Sequence, residues 1–195
     1  MTEEKSIIKV RTGWTFSKAI ESSDKGEYQV IQLRDIQDIT LAGLDWANIT
    51  RTNIDSSRTI KTLQENEILL VAKGHTKTAL LLKNLPDNVV ANQHFLIIKV
   101  NDSSKLLPEY LEVFLNSTSV QNWFTVNSSG SYQSTLTKKR LLELKLPTEL
   151  PIEQQQMLVD LDTSIKKEKH LQHLLIKQRE QELEKFSEAI WSSLK

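Results

Sequence analysis

No cysteine occurs anywhere in the 195 residues, which excludes disulfides, thiolate metal sites and a cysteine nucleophile. An excess of either charge is lacking too. The 25 Lys and Arg balance 25 Asp and Glu, and the pI is about 6.9. No global basic footprint draws the chain to nucleic acid, although a balanced total leaves room for a local reading surface. Long hydrophobic runs are missing: stretches such as Ile68–Ala72 and Ala79–Leu82 fall far short of a membrane span. The opening Met-Thr-Glu-Glu-Lys-Ser lacks the basic-then-apolar pattern of a signal peptide. A cytoplasmic protein that does not enter a membrane is the expectation. Glycine is scarce at 5 residues. Lys73-Gly74-His75-Thr76-Lys77 has too few glycines for a phosphate-binding loop, and neither Gly-x-Ser-x-Gly nor Gly-x-Gly-x-x-Gly occurs.

What is present suffices for a core, since 38% of residues are hydrophobic. Alternation and short β-branched or apolar runs predict strands at Glu27–Ile36, Glu65–Gly74, Thr78–Pro86, Asn92–Val100 and Leu141–Pro147. Residues 5–18 fit a first strand or turn. Pro108–Phe124 begins with proline and places Tyr110, Leu111, Phe114 and Leu115 at helical spacing, predicting a helix. From Ile152 to Lys195 there is neither Gly nor Pro. A helix of that length would extend about 65 Å, roughly twice what a compact domain of this size needs. The fold class expected is α/β (α+β), with a mixed-sheet domain over 1–150 and a long helical arm over 151–195.

The arm carries Leu158, Leu161 and Ile165, then Leu171, Leu174 and Leu175, then Ile176, Leu183 and Ile190 seven apart with Phe186 between the last two. A single helix cannot bury such a stripe by itself. Two readings exist: the arm folds back on its own domain, or it pairs with a helix of another subunit as a coiled coil. The second is taken, with Ile165, Ile176, Leu183, Phe186 and Ile190 as the seam.

No catalytic set stands out. His170 and His173 lie three apart on the arm, but no further ligand completes a metal site, and a solvated polar face explains them. Pro86-Asp87 with Glu143-Leu144-Lys145 resembles fragments of a Mg²⁺-dependent nuclease, in which carboxylates and a lysine activate water. The pieces are short and far apart. The Asn/Asp-Pro-Pro-aromatic motif of amino-methylating DNA methyltransferases is absent.

Binding features are local. Arg51, Arg58, Lys61, Lys73, Lys77 and Lys83 outnumber the acids around them. Lys-Gly-His-Thr-Lys sets Lys73, His75 and Lys77 around a glycine, a suitable shape for approaching phosphates. Asn127–Arg140 combines small polar residues with Lys138 and Lys139, while Gln133 and Asn127 carry amides that match base edges. Each loop alone is also explained as a plain solvated surface.

One stretch carries more. "GSYQSTLTKKRLLELKLPTELPIEQQQMLVDLD" resembles the end of a target recognition domain in DNA specificity subunits of type I restriction–modification systems. The resemblance rests on Gly130, Thr137, Leu141, Leu144, Leu146-Pro147 and Pro151-Ile152-Glu153-Gln154-Gln155, followed by the long helix. "EYQVIQLRDI", "ENEILLVAKGHTKTALL" and "VVANQHFLIIKV" resemble that family's other strands and Gly loop. The resemblance implies a non-catalytic, sequence-reading subunit that binds double-stranded DNA. It implies a methyltransferase partner that binds S-adenosylmethionine, and a restriction subunit or fused enzyme; this chain itself would need no cofactor. With one recognition domain and one arm, the chain looks like a half-subunit. A homodimer through the arm would then suit a bipartite, palindromic target. DNA contact is expected from Lys73, His75, Lys77, Gln133, Lys138 and Lys139, with Arg51 and Arg58 in reserve. The runner-up readings are a helical adaptor that does not read DNA, and the stand-alone nuclease.

Overall fold

The computed structural model describes residues 7–37, 43–57, 59–74, 76–128 and 134–193. It divides into one compact unit ending at Val159 and a second running from Asp160 onward.

The first unit is built on two sheets. Strands β1 (Ile8–Thr12), β4 (Ile68–Val71), β5 (Ala79–Leu81) and β7 (Phe95–Val100) form an antiparallel sheet in the order β1-β7-β4-β5. Strands β2 (Tyr28–Ile31), β3 (Thr50–Thr52) and β6 (Val89–Ala91) form a second sheet, in which β2 pairs antiparallel with β3 and parallel with β6. The apolar runs of β4 and β7 follow from this layering. Alternate residues Ile68, Leu70, Leu96, Ile98 and Val100 face one core together with Tyr110, Leu111, Leu115, Val120 and Phe124. Their neighbours Leu69, Val71, Phe95 and Ile97 face a second core shared with Ile31, Val89 and Ala91. A strand covered on both faces loses the apolar–polar alternation of a half-exposed one.

Gly13 marks where β1 leaves the first sheet. Its N–H donates to Phe95 O (3.0 Å), and the Trp14 N–H donates to Ala91 O (2.7 Å). A side-chain carbon at Gly13 would lie 2.0 Å from the Asn92 carbonyl oxygen, so only glycine fits this close approach.

Three expected elements differ. Glu27–Ile36 is not one strand: β2 ends at Ile31 and a short helix, α1 (Leu33–Gln37), begins. The Asp35 carboxylate reaches back to the Gln32 N–H at 2.7 Å, which favours a helix start over further strand. The helix over Pro108–Phe124 is two, α2 (Pro108–Asn116) and α3 (Thr118–Asn127), separated by Ser117 in extended conformation (ψ 148°). The Asn116 amide there pairs both backbone groups of Ala79, at 2.9 and 2.8 Å, holding α2 against β5. Leu141–Pro147 is not a strand. Helix α4 (Lys138–Leu141) starts under a cap in which Thr137 Oγ1 accepts the Arg140 N–H, and the chain then turns with Leu144 N–H bonded to Leu141 O. Leu141, Leu144 and Leu146 still pack on the first core. Their spacing serves a turn as well as it serves a strand.

Helix α5 (Ile152–Ser193) has 42 residues. Its first two turns belong to the first unit, which extends past the expected boundary at residue 150. Gln155 is fully buried there. Its Oε1 accepts the Leu107 N–H at 3.0 Å, and its Nε2 donates to Lys105 O (3.0 Å) and Leu150 O (2.7 Å). In the second unit the helix is exposed along its apolar stripe. Its polar face is laced by pairs within the helix, such as Lys166–Asp162 and Arg179–Glu182, both at 2.8 Å. No described helix is long and apolar enough to cross a membrane.

Candidate nucleic-acid interface

The two loops expected to meet DNA lie more than 50 residues apart in sequence, and the fold joins them. Lys73 forms an antiparallel bridge with Thr135. Gly74 N–H donates to Ser134 O (3.3 Å), and Leu136 N–H donates to Ala72 O (2.8 Å). The turn depends on Gly74, whose φ of +137° strains any other residue. Leu136 and Leu141 are buried on either side of Thr137, anchoring the second loop to the first core.

Lys138 and Lys139 stand exposed on the first turn of α4, next to this junction. Lys73 is half-buried in it. Arg51 is exposed on β3, with its Nε donating to Gly26 O (3.1 Å). His75, Gln133, Arg58 and Gly130 lie outside the described residues. Asn127 Nδ2 donates to Trp123 O (2.9 Å), an ordinary helix-end bond.

Lys77 departs from the expectation. It is only 2% exposed, and its ammonium donates to the carbonyls of Gly74 and, at 2.7 Å, of Ser134. Burial lowers its pKa. A lysine already bonded to two backbone carbonyls under cover is not placed to meet a phosphate; it ties one loop to the other. Lys77→Met should therefore leave two covered carbonyls short of a donor, costing about 1–3 kcal/mol. Hydrogen exchange would show this as faster exchange at the Gly74 and Leu136 amides, with β4 and β7 unchanged. Lys138→Met should move none of them.

His94 escaped the sequence reading. It sits at the base of the same loop, its carbonyl accepting the Ala72 N–H at 2.8 Å. Its Nδ1 is buried and has no hydrogen-bond partner among the described residues. Burial, then the neighbouring Lys73 charge, lowers its pKa, so the imidazole is neutral at pH 7. Sequence offered no signal, because His94 occupies a turn between two apolar strands.

The nuclease fragments do not form a centre. Glu143 is engaged by Arg140 at 2.7 Å, and Asp87 is exposed in the turn before β6. Among the described residues, no group of three or more His, Asp or Glu is placed to hold a metal ion.

Comparison with known proteins follows the same line. A family model described as the type I restriction modification DNA specificity domain matches residues 2–185. No curated protein matches the chain by sequence. Among solved structures, the S subunit of a type I restriction-modification system from M. genitalium is similar, at 16% identity and a TM-score of 0.43. The match covers 70% of this chain and 30% of that one, so the chain spans under a third of that subunit's length. Because the family model takes in both sheets, the joined loops and most of α5, the chain belongs to the type I restriction modification DNA specificity domain family.

Proposed function

We propose that this chain selects the DNA sequence on which a restriction–modification complex acts and contributes no catalytic group of its own. The observation that carries this reading is the backbone junction of the two loops, Lys73 with Thr135 and Leu136 with Ala72, beside exposed Lys138 and Lys139. It gathers one cationic polar edge from segments far apart in sequence. In this reading Lys73, Lys138 and Lys139 meet phosphates and Arg51 is a peripheral contact. Lys77 holds the loops in register. His75 and Gln133 belong to the same loops and are the candidates for base contact, with Arg58 in reserve.

The methyltransferase that would act at the chosen site binds S-adenosylmethionine, and a restriction subunit joins where the system cleaves. The arm pairs with a second copy, so that two recognition domains address two half-sites. The exposed apolar stripe of α5 supports this pairing.

The test is selection from a random duplex pool by the purified chain, alone and with its methyltransferase. One short sequence should be enriched, bound about 10³-fold or more tightly than scrambled DNA. Affinity should fall steeply with salt. Tight capture of the methyltransferase with no enriched sequence would replace this reading with that of a helical adaptor.

A further inference from the structure

A second cationic surface lies on the first unit, built from three segments that sequence keeps apart. Lys9 of β1 and Lys99 of β7 are direct partners in the antiparallel register. Both line an open groove of about 380 Å³ together with Lys61 and Arg11. A neighbouring cavity of about 340 Å³ shares Arg11 and Lys61 and continues to Trp14. The two form one trough along the edge strand β1.

The charges in this trough are not matched. Arg11 is the neutralised member: its guanidinium meets the Glu67 carboxylate at 2.8 Å and also donates to the Lys61 and Thr62 carbonyls. Glu67 is thereby committed, and it also accepts the Gln64 N–H at 3.0 Å. Among the described residues Lys99 Nζ meets only a neutral amide, Gln64 Oε1, at 2.7 Å. Among the described residues no carboxylate pairs with Lys9, Lys61 or Lys99. Two exposed lysines elsewhere on the same unit do have carboxylate partners, Lys83 with Glu109 (2.7 Å) and Lys105 with Asp102 (3.8 Å). Two lysines directly opposite each other on adjacent strands repel, a cost that a bound anion removes.

The geometry points to this trough as a second binding site for the DNA phosphodiester backbone, with Lys9, Lys61 and Lys99 as its contacts. It rests on the reading of the chain as a DNA-selecting subunit. The groove's amide and carboxylate, Gln64 and Glu67, are already engaged by Lys99 and Arg11, so the surface offers phosphates its lysines and adds affinity without sequence preference. It lies apart from the joined loops in residues and elements, so the two surfaces make separable contributions.

The triple variant Lys9→Gln/Lys61→Gln/Lys99→Gln tests it against a duplex enriched by the wild-type chain and a scrambled duplex, over a series of salt concentrations. The slope of log affinity against log salt should shrink by about 1 for each lysine, and both duplexes should be bound more weakly by the same factor. The Lys→Arg triple should retain the wild-type slope. Thermal melting monitors folding, and the glutamine triple should melt no lower than wild type because a like-charge pair is gone. Wild-type binding with an unchanged slope in the glutamine triple overturns the trough alone. Unequal weakening of the two duplexes overturns it as a sequence-neutral contact. Absence of DNA binding by the wild type overturns both the trough and the reading on which it rests.

Discussion

Gln155→Ala should sharply destabilise the first unit, although Gln155 touches no candidate DNA contact. The side chain is 0% exposed and forms three hydrogen bonds, all to backbone groups of Lys105, Leu107 and Leu150. Truncation leaves one N–H and two carbonyls without partners and opens a void. Each orphaned group costs about 1–3 kcal/mol, so a total of about 4 kcal/mol is expected after partial collapse. An ordinary domain has only about 5–15 kcal/mol in total. At this chain length the melting midpoint should fall by about 10 °C or more. Gln155→Glu keeps the shape and an acceptor for the Leu107 N–H, but turns a carboxylate oxygen towards two carbonyls; it should be at least as harmful. Gln154→Ala is the control: its side chain is exposed, and its backbone N–H donates to Pro151 O whatever the side chain, so the midpoint should stay within about 2 °C. Equal midpoints for the variants at 154 and 155 would refute the role assigned to Gln155. The Pro-Ile-Glu-Gln-Gln segment thus has a physical meaning. Its second glutamine fastens the first turn of α5 to the segment that opens α2.

The elements legible in the sequence are those whose environment is uniform along the strand. β4 and β7 read as buried because both faces are covered, and α5 reads as a helix because nothing interrupts it. β3 and β6 are three residues each, too short for any periodicity to register. The misread at Glu27–Ile36 turned on one carboxylate, Asp35, and that at Leu141–Pro147 on one hydroxyl, Thr137; both cap helices through bonds that propensity does not reveal. The cations divide in the same way. Lys77 and Lys138 both read as lysines in small polar loops. Only the arrival of Ser134, 57 residues further on, determines that the first is buried. Lys9, Lys61 and Lys99 form no cluster in sequence at all. Strand register brings two of them together, and the loop before β4 adds the third.

Leu183→Glu should split a dimer of the chain into monomers. Leu183 is 68% exposed, Phe186 70%, Ile190 58%, Ile176 57% and Ile165 42%, so a large apolar stripe meets water along α5. The polar residues beside it are already satisfied within the helix by Arg179–Glu182 and Gln178–Glu182. They offer a partner little electrostatic gain, since exposed pairs contribute only about 0–1 kcal/mol. Pairing energy must therefore come from the stripe. Full burial of a leucine side chain contributes about 1.5–3 kcal/mol, and a two-fold pair loses it twice, so dissociation should strengthen by about 10²- to 10⁴-fold. A carboxylate placed in the seam adds its own desolvation cost. Sedimentation equilibrium should show the wild type at about twice 22.4 kDa and the variant at that mass. Glu182→Gln, on the polar side, should leave the dimer intact. If the variant retains the wild-type mass, Leu183 lies outside the seam. If the wild type is itself monomeric, the stripe is not covered by a second copy and the two-domain arrangement on DNA falls with it. The pairing and the reading of DNA are separable in this design. A monomeric Leu183→Glu chain keeps both loops and should still prefer its half-site over scrambled DNA, but should lose the dependence on a fixed spacing between two half-sites.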